Sequence, residues 1–343
     1  MMKSHFFSLL FLSISSIHAE LLDLEALSQD FVLETKRIEI KGFPHAFNPS
    51  IIRWRGFPLL CFRVVIDPKM SSLTSMMGLV WLDDALNPIG APQLLDIRTD
   101  GSQVPPRVDD ARLITIDDHL LLVYSDNPDP KISKGGFRMC IAEVDFDGEH
   151  FYIENIERLT RFEGESKDRR EKNWTPFEYE KNLLLVYSIV PHKIMSPIFG
   201  AEACQTLFST EASFDWNWGE LRGGTQGLLD NGQYLAFFHS SINIASVQSG
   251  GKSIAHYFMG AYTYSASPPF HITSISPMPI LGKGFYTGTV YKPYWKPLLV
   301  VFPCGYIAND KYIWVAYGKQ DHEAWIAKLD KQALLDSLVP VSN

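Results

Sequence analysis

The sequence predicts an all-β protein: a five-bladed β-propeller with a short C-terminal helix. Three observations predict this fold. Short strands rich in β-branched and aromatic residues alternate with Gly, Pro, Asn and Asp, helical periodicity is scarce, and one apolar strand motif recurs five times. Copies of the motif are 51 to 78 residues apart, which suits one four-stranded antiparallel sheet with its turns. Radial repetition of five such sheets leaves no long exposed edge.

The recurring motif is an apolar strand with polar residues at its exit. Its copies are Pro58–Arg63, His119–Asp126, Asn182–Ile189, Gln233–Ser240 and Tyr312–Lys319, the last preceded by the apolar segment Pro297–Pro303. Helix-like spacing of apolar residues occurs in Leu329–Leu338, which we expect to cap the last blade. Weaker spacing in Leu21–Phe31 predicts a short helix leading into the domain.

The N-terminal segment Met1–Ala19 has the features of a signal peptide. Lys3 gives a positive start, Phe6–Ile17 a short apolar core, and Ala19 a small residue at the exit. The apolar core is short for a bilayer span, although an uncleaved anchor is the alternative. We therefore expect export to the periplasm or the medium, and a mature chain, residues 20–343, that forms one catalytic domain.

Composition narrows the classes of function. The formal net charge of −8 argues against nucleic-acid binding, which needs a basic face. The four cysteines include no Cys-x-x-Cys pair and lie in apolar runs, so free buried thiols are expected. One or two disulfides after export are the alternative. Neither a metal-binding spacing nor a Gly-rich nucleotide loop is present, so the sequence predicts no metal and no cofactor.

Polar side chains cluster where the repeated strands begin or end. A propeller brings equivalent strand ends together around one axis, so residues far apart in sequence can share one pocket. The candidates are Asn48, Arg63, Asp110, Arg112, Glu171, Lys172, Asn173, His192, Glu220, Arg222, His239 and Asp321.

The pair Asp109-Asp110 stands directly before the second copy of the motif. Adjacent residues of an extended strand point to opposite faces. Both carboxylates can face one space only if the backbone bends there. We expect Asp110 to face a cleft and Asp109 to make structural contacts; a solvated turn is the alternative.

The residue types in the predicted pocket suit a sugar and an oxyanion. Aromatic rings pack on the C–H faces of sugars, and paired carboxylates serve glycosidic bond cleavage. Arg63, Lys172, Arg222 and His239 together suit an oxyanion. The Gly223-Gly224 pair lets backbone approach a ligand closely.

Six short strings in order resemble glycoside hydrolase family 130 and its relatives. They are NPSI from Asn48, DDARL from Asp109, EKNW from Glu171, ELRGGT from Glu220, FPCG from Phe302 and the Y-G-x-x-D that ends at Asp321. The resemblance extends from Phe47 to Asp330. It implies a five-bladed propeller acting on β-mannosides, mostly by inverting phosphorolysis, in some members by hydrolysis, and in a related group by β-1,2-mannosyl transfer.

Carried over residue by residue, the resemblance implies that Asp110 is the general acid, acting directly or through a sugar hydroxyl. Arg63, Lys172, Arg222 and His239 then correspond to phosphate-binding groups. The substrate-binding candidates are Asn48 and Asp321 in the −1 subsite, together with Arg112, Asn173 and Glu220. Three positions depart from the family pattern: Asp109 replaces Glu, Ala111 replaces Pro, and Gln226 replaces a frequent Pro.

The sequence predicts phosphorolysis of a β-mannoside oligosaccharide or glycan with inversion, with inorganic phosphate as co-substrate and mannose 1-phosphate as product. A phosphorylase needs no second carboxylate as base, because phosphate is the nucleophile. It does need cations that bind phosphate, and the predicted pocket contains them. Export favours hydrolysis, or mannosyl transfer from a sugar phosphate. Two further alternatives remain: a non-catalytic propeller that binds glycan or a protein partner, and a glycosidase using Asp110, Glu171 and Glu220 as three acids.

Overall fold

The computed structural model describes residues 21–65, 75–97, 107–127, 136–166, 170–288 and 297–342. The predicted signal peptide, residues 1–19, lies outside them and stays a prediction. Within the described ranges, no helix has the length and apolar character needed to cross a bilayer.

Three four-stranded antiparallel sheets follow one another along the chain. The first contains β2 (Phe47–Trp54), β3 (Phe57–Val64), β4 (Met76–Leu82) and β5 (Pro88–Leu94). The second contains β6 (Val108–Ile116), β7 (His119–Asp126), β8 (Arg138–Phe146) and β9 (Phe151–Leu159). The third contains β10 (Thr175–Tyr179), β11 (Asn182–Ser188), β12 (His192–Ile198) and β13 (Ala203–Thr210).

Two further sheets are joined edge to edge. The fourth contains β14 (Arg222–Gly223), β15 (Leu228–Asp230), β16 (Gln233–Ile244), β17 (Ile254–Ser265) and β18 (Ile272–Ile275), and β18 also pairs with β22 (Val339–Pro340). The fifth contains β19 (Leu298–Ala308), β20 (Tyr312–Lys319), β21 (Glu323–Asp330) and β1 (Val32–Arg37). A short parallel pairing of β17 with β19 connects the two. Because β1 comes from the N-terminal side and pairs with β21, both ends of the domain meet in the fifth sheet.

The five predicted motif copies are confirmed as inner strands of the five sheets: β3, β7, β11, β16 and β20. Their continuous apolar character has a packing reason, which β7 illustrates. Leu120 and Leu122 pack with the first sheet, whereas Leu121 and Val123 pack with the third. Each alternate set therefore meets a neighbouring sheet, and neither face is left to solvent.

The same two-sided packing links all five sheets in a cycle. Separate buried clusters join the first sheet to the second, the second to the third, the third to the fourth, the fourth to the fifth, and the fifth back to the first. In the last of these, Leu60 and Phe62 meet Ala316 and Ile326. The protein is thus mostly β, and this arrangement is compatible with the predicted five-bladed propeller.

The C-terminal helix is confirmed and the N-terminal one is wrong. Helix α1 (Lys331–Ser337) begins after Asp330, whose carboxylate accepts a hydrogen bond from the Ala333 N–H at 2.9 Å. Residues 21–31 instead form turns. Tertiary contacts explain this difference, since the Glu25 carboxylate accepts from the Gly284 N–H at 2.9 Å and the Gln29 N–H donates to the Leu281 carbonyl. These bonds replace the local bonds of a helix.

All four cysteines, Cys61, Cys140, Cys204 and Cys304, are buried free thiols, as the sequence predicted. Burial raises their thiol pKa values, that of Cys204 to about 12, so they are protonated in the folded chain.

Candidate active site

Irregular backbone at the start of the first three sheets directs polar side chains into one cavity. The ladder between β2 and β3 shifts register at Asn48, and that between β6 and β7 shifts at Asp110. Asn48, Asp110 and Asn173 have positive φ angles of 47°, 52° and 65°. Asn and Asp tolerate this left-handed conformation better than other non-glycine residues, and a bulge redirects the side chain it carries.

The bulge at Asp110 provides the bend that the sequence required. Both Asp109 and Asp110 line the same cavity, although strand alternation would have separated them. The cavity has a volume of about 780 Å³. Ten of the twelve candidates line it: Asn48, Arg63, Asp110, Glu171, Lys172, Asn173, Glu220, Arg222, His239 and Asp321.

Asp110 lies on the cavity floor, almost fully buried. Its Oδ1 accepts hydrogen bonds from Asn48 Nδ2 at 2.8 Å and from Arg63 Nη1 at 3.1 Å. Burial opposes its ionisation, but the charges of Arg63, Lys172 and Arg112 and the Asn48 bond outweigh burial and lower the pKa of Asp110 to about 2. Asp110 is therefore ionised in the ligand-free protein at neutral pH.

Asp109 holds two of the cavity's cations in place. Its Oδ1 is ion-paired with Arg63 and its Oδ2 with Lys172. Ser75 Oγ lies 3.4 Å from Oδ1. Asp109 thus makes the structural contacts that the sequence predicted, and it does so inside the cavity wall.

Asp321 is a further carboxyl of the cavity whose charge interacts with that of Asp110, and it ends the last of the six strings that carry the resemblance. It also has a left-handed backbone, with a φ of 55°. Burial and the neighbouring Asp110 charge raise the pKa of Asp321 to about 6, against the opposing charges of Arg63 and Lys172. The two carboxyls therefore have pKa values pushed far apart, a pattern that assigns different protonation states to neighbouring acids.

Arg112, predicted to contact substrate, does not line the cavity and is fully buried beneath it. Its guanidinium donates from Nη1 to the Asp110 carbonyl at 2.6 Å, from Nε to the Gly224 carbonyl at 2.8 Å, and from Nη2 to Asn173 Oδ1 at 3.1 Å. The ladder between β6 and β7 shifts register between Asp109 and Arg112, and Arg112 points inward from the end of this bulge. Its contacts fix the two left-handed residues that do face the cavity.

His239 lines the cavity as predicted, but as a neutral group. Burial and the charges of Arg112 and Arg222 lower the pKa of His239 to about 3. Its Nδ1 lies 3.0 Å from the Gly223 carbonyl. Because a carbonyl only accepts, Nδ1 carries the proton and Nε2 is left as an acceptor. His239 therefore offers a hydrogen bond and not the positive charge that its place among the cations implied.

Arg222 and Glu220 lie at the rim of the cavity. Both side chains are exposed, and they pair at 2.9 Å. Such a solvent-exposed pair is weak and can open to a ligand at little cost.

The glycines of the fourth sheet serve strand packing more than ligand approach. A Cβ on Gly223 would collide with the Asn173 carbonyl, and one on Gly224 with the Phe237 carbonyl. His192, which the sequence placed among the candidates, is buried outside the cavity with its Nδ1 2.7 Å from the Phe270 carbonyl.

Sequence reasoning missed several lining residues. They include Arg107, Arg170, Tyr187 and Tyr257. Arg107 had a usable signal, because it precedes Asp109 by two positions, the spacing that puts strand residues on one face. Tyr257 had none, since it comes from the third strand of its sheet and reaches the cavity only through tertiary packing.

Comparison with known proteins supports the fold. No protein-family model matches the sequence, and no curated protein matches it. Solved structures do match. A glycosyl hydrolase from Bacteroides ovatus is 12% identical with a TM-score of 0.59, covering 88% of this chain and 92% of that one.

Two phosphorylase structures are similar to the same extent. The mannose phosphorylase MPT-4 from Leishmania mexicana, in complex with a phosphate ion, is 13% identical with a TM-score of 0.58 and 93% coverage of both chains. The β-1,2-mannobiose phosphorylase from Listeria innocua, in complex with β-1,2-mannobiose, is 16% identical with a TM-score of 0.55, covering 90% of this chain and 94% of that one. The chain therefore shares the fold of these proteins, which agrees with the resemblance to glycoside hydrolase family 130.

Proposed function

We propose that the protein is a five-bladed propeller enzyme that cleaves β-mannosides with inversion, by phosphorolysis giving mannose 1-phosphate. One observation carries the proposal: a single polar cavity holds the buried carboxylate of Asp110 beside the cations Arg63 and Lys172. An acid and an oxyanion site in one cavity are what phosphorolysis requires. The similar phosphorylase structures support the reaction class. We further propose that residues 20–343 form a single exported catalytic domain without metal or cofactor.

Asp110 is the proposed general acid, and phosphate prepares it for that role. In the free protein Asp110 is ionised because Arg63 and Lys172 stabilise its charge. A phosphate dianion bound by these cations competes for them and adds negative charge nearby. Both effects raise the pKa of Asp110, so the acid becomes protonated when the nucleophile is bound. The proton then goes to the oxygen of the leaving sugar, directly or through a sugar hydroxyl.

Phosphate attacks the anomeric carbon on the face opposite the leaving oxygen, which inverts the configuration. Arg63 and Lys172 hold it from the cavity wall, and Arg222 reaches it from the rim after leaving Glu220. The neutral His239 accepts a hydrogen bond through Nε2 from a phosphate hydroxyl. Arg offers a planar fork that suits an oxyanion, and Lys offers a compact charge.

The short polar side chains of the cavity bind the hydroxyl groups of the sugar. Asn48 donates a hydrogen bond to Asp110, and Asn173 and Asp321 line the same cavity. All three therefore suit the hydroxyls of the sugar whose glycosidic bond breaks. Glu220 at the rim suits the leaving sugar. Aromatic rings that line the same cavity, among them Tyr257 and Phe302, provide apolar faces for sugar C–H groups.

A product assay tests the proposal. The mature chain is incubated with β-1,2- and β-1,4-mannobiose, with and without inorganic phosphate. Mannose 1-phosphate that forms only with phosphate is the expected result, and Asp110→Asn should greatly reduce its formation. Free mannose in both conditions would replace phosphorolysis by hydrolysis, and binding without turnover would reduce the protein to a glycan-binding propeller.

Hydrolysis is the second candidate, because one observation favours it. The raised pKa of Asp321 makes this carboxyl a stronger base than an ordinary aspartate, and it shares the cavity with Asp110. An inverting hydrolase needs such a second carboxylate to activate water. Asp321→Asn separates the two reactions, since it should abolish hydrolysis by removing the base, whereas phosphorolysis keeps its nucleophile and loses one sugar contact.

A further inference from the structure

Three cations surround one buried aromatic ring at the side of the cavity. The side chains of Arg107, Arg170 and Lys172 lie 4.7, 5.9 and 4.0 Å from the ring centroid of Phe137. All three cations line the cavity, and Phe137 is buried behind them. We call this set the Phe137 wall.

The Phe137 wall concentrates positive charge. Burial lowers the pKa of Arg107, and the charges of Arg63 and Arg170 lower it further, against the attraction of Asp109. Asp109 already forms ion pairs with Arg63 and Lys172. The aromatic face stabilises the cations at modest energy.

The wall also extends outward from the reacting centre. Asp110 is buried on the floor, Lys172 is half-buried, and Arg170 is exposed towards the mouth. The sugar that is cleaved must lie at Asp110, so the rest of the substrate extends towards the mouth. Arg63, Lys172 and Arg222 suffice for the nucleophile proposed above, which leaves Arg107 and Arg170 beyond its needs.

We propose that the two outer cations of the Phe137 wall, Arg107 and Arg170, bind an anionic substituent, a phosphate or a carboxylate, on the leaving sugar of the substrate. The inference rests on the proposed function and narrows its substrate class to acidic β-mannosides. In the reverse direction, the preferred acceptor is then an acidic sugar. The same oxyanion chemistry could instead come from free inorganic phosphate, and the test separates the two sources.

The test measures binding and does not need turnover. Mannose, mannose 6-phosphate, glucuronate and inorganic phosphate are each titrated calorimetrically into the protein at physiological ionic strength. With inorganic phosphate saturating, mannose 6-phosphate and glucuronate should bind about tenfold more tightly than mannose, the size expected for one added charge-assisted contact. Raising the salt concentration should reduce this preference.

Matched variants locate the site. Arg107→Gln and Arg170→Gln should each reduce the preference for the acidic sugars about tenfold, whereas Arg53→Gln, an exposed arginine outside the cavity lining, should leave it intact. Arg170 is exposed, so its variant should fold even if that of Arg107 does not.

Three results would overturn the inference: equal affinity for mannose and the acidic sugars, a preference that saturating inorganic phosphate abolishes, or a preference that survives both substitutions. The second result would assign the wall to the nucleophile. If the acidic sugars bind as expected but no mannoside is cleaved, the proposed reaction fails while the anionic site stands.

Discussion

Two neighbouring carboxyls in the cavity should affect stability with opposite signs. Asp321 has a pKa raised to about 6 and Asp110 a pKa lowered to about 2, from an ordinary value of 3.8. Both have left-handed backbones, which Asn tolerates well. The substitutions Asp321→Asn and Asp110→Asn therefore remove charge while keeping the backbone geometry.

The magnitudes follow from linkage. A carboxyl whose pKa is higher in the folded than in the unfolded chain costs stability as pH rises through that interval. At about 1.4 kcal/mol per pKa unit, ionised Asp321 costs up to about 3 kcal/mol at pH 7 and almost nothing at pH 4. Asp110 has the reverse sign: its charge contributes up to about 2 kcal/mol above pH 4, which is lost as pH falls towards 2.

Asp321→Asn should therefore raise the free energy of unfolding at pH 7 and have little effect at pH 4. Asp110→Asn should lower it at both pH values. The loss at Asp110 is partly offset at pH 7, because removing that charge also relieves Asp321, and the double variant measures this coupling. Asp84→Asn, at a side chain that is 94% exposed, is the control and should change little.

Urea unfolding followed by tryptophan fluorescence provides the measurement, with midpoints compared at equal slope. A destabilised Asp321→Asn protein at pH 7 would refute the reasoning. Equal stabilisation at pH 7 and pH 4 would refute it as well, since the effect would then not come from ionisation.

Three further predictions concern catalysis and packing. Asp110→Asn should lower kcat by a factor of about 10² to 10⁴, the usual contribution of a general acid, and an unchanged kcat in steady-state assays would remove Asp110 from that role. Arg112→Lys should fold but lose most activity, because a single ammonium cannot hold both the Asp110 carbonyl and Asn173; thermal unfolding and kcat measured together separate this effect from simple unfolding. Gly223→Ala should cost about 1–3 kcal/mol of stability, because its Cβ meets the Asn173 carbonyl; a midpoint equal to that of the parent protein would contradict that packing.

Periodicity and spacing determined the framework of this protein. Apolar strands buried on both faces are continuous in sequence, so one inner strand of every sheet could be predicted from its residues. The short helix α1 was also predictable, since its apolar spacing and its Asp330 cap are local features. Polar residues at the ends of those strands identified ten of the residues that line the cavity.

Tertiary structure alone decided how the site is arranged. The left-handed backbone at Asp110 places Asp109 and Asp110 in one cavity and turns Arg112 beneath it, against the alternation of an ideal strand. The charge states of Asp321 and His239 could not be predicted from the sequence either, because their pKa values depend on burial and on charges from other sheets. Local sequence fixes which strands form, whereas desolvation and long-range contacts fix what their side chains can do.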